Sequence, residues 1–407
     1  MNEAMDILID NSLFMMCLIF FTGVIAHKIS IKLKLPEVVV YMITGIILGD
    51  SVLHLIDIDN SSMINQFVLI FGAAYIIYQG GKEIKLKNLK AVSITVGALA
   101  TLGVLISTIV IAFFSSLIFH LDTITSLLVG AVIASTDPAS LIPVFQKLKI
   151  KKTLKSALIA ESAFNDAVGT VLVITILNVI ANGSFSISNS ITLLLKMIII
   201  GAGVGLVIGW VLSYMIGSKK SILSEYSAII GLIAAMSAYS VADAFGGSGF
   251  MSAFIAGLVC GNKKEFGLWV PQECFQVSTH FNEVIESLFK ISIFILLGAH
   301  IDFSLLFNNL GGSLLLVLAL VILARPLSVF ICTSFDFKNK WSIKEKIFMS
   351  YVRETGVIPA AMSSVIVAMQ IEGYEIISAV IVMAIIITIG IQSSTTMLLA
   401  KKLNIEE

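Results

Sequence analysis

A chain of 407 residues that is 57% hydrophobic and only 13% charged, with a mean hydropathy of +1.01, is too apolar for a soluble globular protein and reads as a polytopic membrane protein. Its 26 basic and 26 acidic residues cancel, so bulk charge offers no attraction for nucleic acid. The four cysteines (Cys17, Cys260, Cys274, Cys332) are scattered, with neither disulfide nor metal-ligand spacing.

The N-terminal MNEAMDILID is acidic, whereas a cleaved signal peptide needs a basic start, so the first apolar run is expected to be a retained membrane helix. Apolar runs then recur along the whole chain. They fall at about 10–29, 36–53, 63–80, 90–119, 123–146, 154–182, 188–216, 222–242, 246–262, 278–300, 307–334, 345–370 and 375–400, which predicts an all-α fold of thirteen transmembrane helices.

The loops test this count. Basic residues fill every other loop: Lys28, Lys32 and Lys34; Lys82 to Lys90; Lys147 to Lys155; Lys219 and Lys220; Lys263 and Lys264; Lys338 to Lys346; and finally Lys401 and Lys402. The intervening loops carry none, and apart from lysines at segment ends only Lys196, Lys290, Arg325 and Arg353 lie within segments. One miscounted helix would scramble this alternation. The positive-inside rule places the C-terminus in the cytoplasm and the N-terminus outside, in a multi-pass protein of the cell membrane.

Thirteen divides into two six-helix units around a linker, and the two units then have opposite orientation, the plan of inverted-repeat transporters. Segment 5 pairs with segment 12 under this scheme. Segment 5 is broken at Thr136-Asp137-Pro138, and segment 12 is disturbed at Arg353-Glu354-Thr355-Gly356. Interrupted helices at matching positions of two halves point to a binding site where they cross at the midplane.

Segment 6 supplies the rest of that site. Glu161, Ser162, Asn165, Asp166 and Gly169 fall within an arc of roughly 140° on one helix side, and Thr136 and Asp166 both reach mid-depth. Carboxylates at bilayer depth are expensive and mark function by default. Asn165 and Ser162 suit helix pinning equally well, and Asp137 also suits an N-cap. Pro138 removes an N–H and frees a carbonyl one turn earlier. Carboxylate, hydroxyl and carbonyl oxygens form a hard-ligand set that suits Na⁺-like ions. Depth alone makes Arg325 and Arg353 rival partners for Glu161, with Glu354 a rival partner for Arg353. Lys290 has Glu286 one turn away, and Lys196 is expected to snorkel.

An intramembrane serine protease is the remote alternative, because Gly246-Gly247-Ser248-Gly249 fits a GxSG pattern. The histidines, however, all lie at segment ends or in loops, so no base stands at the serine's depth. No nucleotide-binding motif occurs, and neither an enzyme activity nor a cofactor is expected.

Together, Thr136-Asp137-Pro138, Glu161-Ser162-x-x-Asn165-Asp166, the arginine of LARP (Arg325) and VRETGVIPA (Arg353) resemble the cation:proton antiporter family, closest to its NhaP-type Na⁺/H⁺ exchanger branch. The resemblance implies a homodimer in lipid, with residues 1–87 and 222–304 as the dimerisation part, 88–183 and 305–402 as a moving core, and 184–221 as a linker helix. It implies Na⁺ held by Asp166, Glu161, Ser162 and the Thr136 carbonyl, with Asp137 nearby through water, and a Glu161–Arg325 ion bridge. The Asn165-Asp166 pair implies electroneutral exchange of one Na⁺ for one H⁺, with K⁺, Li⁺ or a broad cation range as alternatives to Na⁺.

Overall fold

The computed structural model describes residues 2–33, 35–49, 52–56, 62–137, 141–142, 144–145, 148–182, 187–217, 222–267, 272–301, 303–356, 359, 362, 366, 369 and 371–405. Every regular element among them is helical. In chain order they are α1 (Asn2–Leu33), α2 (Glu37–Leu48) and α3 (Met63–Gln66, a π-turn Phe67–Phe71 and Gly72–Glu83). Then come α4 (Leu86–Phe119), α5 (Thr123–Ala134), α6 (Lys152–Asn182), α7 (Ile187–Gly217), α8 (Ser227–Ala244), α9 (Gly249–Gly261) and α10 (Gln272–Ala299). A short Phe303–Asn308 helix leads into α11 (Leu310–Ser334), followed by α12 (Ile343–Tyr351) and α13 (Tyr374–Leu403). Seven of these helices carry stretches long and apolar enough to cross a membrane, and α2, α5 and α9 are apolar but shorter.

Local chemistry sets the ends that matter. Asp122 opens α5 by accepting from the N–H groups of Ile124 (2.9 Å) and Thr125 (3.2 Å), an N-cap. Ser342 and Glu345 open α12 with a capping box. Being 12 residues long, α5 spans about 18 Å, about three-fifths of what a bilayer-crossing helix needs. The apolar period scarcely registers the π-turns in α3, α4 (Leu99–Gly103), α11 (Leu320–Ala324) and α13 (Ile386–Ser393). Beside the α4 turn the Gly103 carbonyl accepts from Ser328 Oγ of α11 at 3.1 Å, and the Ala98 carbonyl accepts from Cys332 Sγ at 3.3 Å. Side chains of a neighbour thus satisfy backbone groups near the bulge.

Packing sorts the helices. α1, α2, α3, α8, α9 and α10 contact one another, with α7 along α8 and α9. α4, α5, α6, α11, α12 and α13 form a second set of contacts. Within the first set some backbones touch. A Cβ on Gly45 or Gly298 would lie 2.0 Å or 2.2 Å from a carbonyl of the facing α10 or α2, and one on Gly257 would lie 2.0 Å from the Tyr78 carbonyl of α3. Small residues at such seams are how membrane helices approach closely. Two contacts between the sets end in side chains: Phe164 of α6 meets Phe254 of α9 edge-on at 5.9 Å, and Gly80 of α3 faces Ile142 and Ile159.

At one end of the bundle the basic loops meet. Lys155 pairs with Glu83 (2.8 Å) and Lys151 with Glu345 (3.0 Å), and Asn262 bonds the backbone of Ile84 and Leu86. Asp336, buried just beyond α11, accepts from Thr95 Oγ1 (2.6 Å), Asn339 Nδ2 (2.6 Å) and the N–H groups of Lys338 and Asn339 (3.1 Å each). Trp341 Nε1 donates to the same Thr95 hydroxyl at 2.8 Å. Burial pushes the Asp336 carboxyl up, but these hydrogen bonds outweigh it and hold it below the usual carboxylate range. A depressed folded pKa means stability present above the unfolded value, about 3.9, and lost as pH falls through the folded one. Asp336→Ala is therefore expected to cost about 1–3 kcal/mol at neutral pH. Thermal unfolding in detergent should show this cost shrinking as pH drops below about 4.

Candidate functional site

Both helix interruptions read from the sequence are present among the described residues. α5 stops at Ala134, and Ser135 is extended (ψ 149°). α12 stops at Tyr351, and residues 352–356 are not helical. The two irregular stretches cross. The Asp137 N–H donates to the Glu354 carbonyl at 2.9 Å, and the Thr355 N–H donates to Thr388 Oγ1 of α13 at 2.9 Å. A Cβ on Gly356 would lie 2.0 Å from Asp137 Oδ2, so only glycine allows this approach. Pro138 itself, and most of 357–370, lie outside the described residues.

The polar arc of α6 faces this crossing. Glu161, Ser162, Asn165 and Asp166 are buried, as are Ser135, Thr136 and Asp137. The Thr136 and Ser162 hydroxyls share a 2.8 Å hydrogen bond. Asn165 clasps Thr136, donating from Nδ2 to its hydroxyl (2.7 Å) and accepting its N–H at Oδ1 (3.3 Å). Asp166 Oδ1 accepts from Ser135 Oγ at 2.7 Å. Its buried Oδ2 has no hydrogen-bond partner among the described residues. Leaving such an atom unsatisfied is costly, and a cation or a proton removes the cost. Gly169, one turn on, lets Ser135 approach: its Cβ position is 3.1 Å from that of Ser135.

The arginines have separate partners. Arg325 grips Glu161 bidentately, Nη1 to Oε1 and Nη2 to Oε2 (2.8 Å for the latter), while its Nε donates to the Met349 carbonyl at 3.2 Å. Arg353 does not compete. Its Nη2 donates to the Ile133 carbonyl and, at 3.4 Å, to the Ser135 carbonyl. The carbonyls of Ile133 and Ser135, on either side of the Ala134 carbonyl one turn before Pro138, are thus taken by a guanidinium. Arg353 caps the negative C-terminal end of a half-helix.

Other residues resolve simply. Lys290 pairs with Glu286 at 2.6 Å. Lys196 Nζ lies 3.1 Å from the Cβ position of Gly246, so it reaches back over the glycine turn. Ser248, the serine of the GxSG pattern, caps α9 through the Met251 N–H at 3.3 Å. Ser135 is not legible in the sequence: a small hydroxyl beside Thr-Asp-Pro carries no cost signal of its own, although Gly169 facing it marks the close approach.

Residues 16–402 match the transmembrane family of sodium/hydrogen exchangers. The chain belongs to the sodium/hydrogen exchanger family. This exchanger is similar to Na(+)/H(+) antiporter 1 of Methanocaldococcus jannaschii, 32% identical over 355 residues that cover 84% of this chain and 80% of that one. It is also similar to the K(+)/H(+) antiporter NhaP of Alkalimonas amylolytica, 27% identical over 361 residues, 87% of this chain but 60% of the relative's length. Its fold matches the structure of the sodium proton antiporter MjNhaP1 from Methanocaldococcus jannaschii at pH 8, with a TM-score of 0.76 at 28% identity over 97% of this chain and 99% of that one. The exchanger is a multi-pass membrane protein whose family members carry ions.

Proposed function

We propose that this exchanger is a secondary active Na⁺/H⁺ antiporter, exchanging one Na⁺ for one H⁺ by alternating access, with Asp166 as the shared cation and proton site. The observation that carries the reading is the buried, undonated Oδ2 of Asp166 beside the crossing of two interrupted half-helices. The donor set is Asp166, Ser162, Glu161 and the Thr136 carbonyl, with Asp137 close by and Asn165 holding Thr136 in register. A carboxylate offers about four lone-pair positions, so Glu161 keeps acceptor capacity beyond the two bonds to Arg325. A proton and a cation compete for Asp166, and the site needs to face each side of the membrane in turn. No covalent chemistry is involved.

The same reading takes thirteen spans in two inverted six-helix units. The first set of packed helices acts as the dimerisation part of a homodimer, α4–α6 with α11–α13 as the transporting core, and α7 as the linker. The matched breaks of α5 and α12, and the π-turns in both α4 and α11, support the repeat. The convergence of basic loops through Lys155–Glu83 and Asn262 supports one cytoplasmic end, with the N-terminus outside and the C-terminus in the cytoplasm of the cell membrane. Cysteines introduced at Ile150 and at Ser184, which lies outside the described residues, are expected to label from opposite sides, 150 from the cytoplasm. Labelling of both from one side would defeat the thirteen-span count.

Transport of K⁺ is the second reading, favoured by the similarity to the NhaP K(+)/H(+) antiporter. The deciding experiment is proton movement in reconstituted vesicles challenged with Na⁺, Li⁺ and K⁺ in turn. Response to Na⁺ and not K⁺ supports the first reading, equal responses support a broad cation exchanger, and no response to any of them overturns both.

A further inference from the structure

The turn that follows α11, residues 335–342, takes no part in the ion site, yet it is firmly built. Asp336 faces inward and binds four donors, two of them the backbone N–H groups of Lys338 and Asn339. Lys340 is held at φ +40°, a left-handed conformation uncommon for any residue but glycine. Between the buried Asp336 and the bonded N–H of Lys338, Phe337 is 82% exposed, and Ile343, at the start of α12, is 69% exposed. Single exposed apolar residues are ordinary, but these two project from a rigid turn whose exposed charge is all of one sign.

Both acids of the stretch, Asp336 and Glu345, are buried and hydrogen-bonded. Lys338, Lys340 and Lys344 are exposed. Lys346 sits with its Nζ 5.7 Å from the Phe330 ring, and Phe330 lies on the exposed apolar side of α11. Lys346 therefore stands against the exposed apolar side of α11, and Lys338, Lys340 and Lys344 lie in the stretch that directly follows that helix.

We propose that this turn binds the acidic headgroup of a phospholipid in the adjoining leaflet, the lysines taking the phosphate and Phe337 and Ile343 entering the acyl layer. Lysines close to an acidic leaflet are attracted to it, and aromatic side chains settle at the headgroup level. A soluble phosphate would use the lysines and leave Phe337 and Ile343 in water. The contiguity with the apolar side of α11 favours a lipid over a soluble protein. The binding does not depend on which ion the exchanger carries, and its leaflet is the cytoplasmic one under the orientation proposed above.

The test is a thermal-stability titration of the purified full-length protein in neutral detergent with dioleoyl phosphatidylglycerol, dioleoyl phosphatidylcholine or glycerol 3-phosphate. Phosphatidylglycerol alone is expected to raise the melting temperature of the wild type. In a Lys338→Gln/Lys340→Gln/Lys344→Gln variant the half-saturating concentration should rise on the order of a hundredfold. Phe337→Ser should weaken the same response, and Lys263→Gln/Lys264→Gln, in a different basic loop, should leave it intact. Equal responses in the wild type, the triple variant and Phe337→Ser would overturn the proposal. So would a loss as large in the Lys263/Lys264 variant, which would reduce the effect to general charge, or an equal shift with glycerol 3-phosphate, which would make the ligand a free phosphate. Should the triple variant fail to fold, Phe337→Ser carries the same test.

Discussion

Vesicles containing Asp166→Asn protein are expected to show no Na⁺-driven proton movement, while the protein keeps its fold. The substitution preserves the shape of the side chain and the acceptor that Ser135 Oγ reaches at 2.7 Å. It replaces the undonated Oδ2 with a group that neither titrates nor carries charge. An unneutralised buried carboxylate is costly, and under the proposed function its occupancy alternates between cation and proton. In the wild type this competition should weaken the apparent Na⁺ affinity about tenfold per pH unit below the Asp166 pKa and leave it flat above. Substantial exchange by Asp166→Asn would remove this residue from the mechanism and the core of the reading with it.

The second large effect concerns the ion pair of Glu161 and Arg325. Removing either partner alone strands a buried charge, and each of Glu161→Gln and Arg325→Gln is expected to cost about 3–5 kcal/mol. The double variant leaves no charge stranded and should recover part of the loss, so the two costs should be far from additive. Denaturation of the four proteins in the same detergent measures this cycle. Strictly additive losses would mean that the two side chains do not act as a pair in the folded protein.

Sequence is most legible where physics makes a residue expensive. Carboxylates inside apolar runs, a proline in a membrane helix and lysines confined to alternate loops each have few inexpensive explanations, and the interruptions of α5 and α12 and the polar face of α6 followed from them. Depth could not tell Arg325 from Arg353, because both enter from the same side by a similar number of residues. Side-chain direction decides between them, and it depends on how α11 and α12 pack. The capping of α5 by Arg353 was hidden for the same reason: its acceptors are the carbonyls of Ile133 and Ser135, and every residue has a carbonyl. Ser135 escaped notice because a hydroxyl costs little wherever it is placed.

The glycine contacts of the first helix set have a mechanical meaning. Where backbone lies against backbone, as at Gly45, Gly298 and Gly257, one helix cannot slide along the other without driving carbonyls into Cα atoms. At Gly80 against Ile142 and Ile159, and at Phe164 against Phe254, the opposing atoms are side-chain ends, which can change rotamer and let a neighbour pass. The molecule thus has stiff seams within one body and a compliant boundary along its edge. Under the proposed alternating access, strain would be relieved first along that boundary, where Phe164 and Ile159 of α6 lie two and seven residues before Asp166.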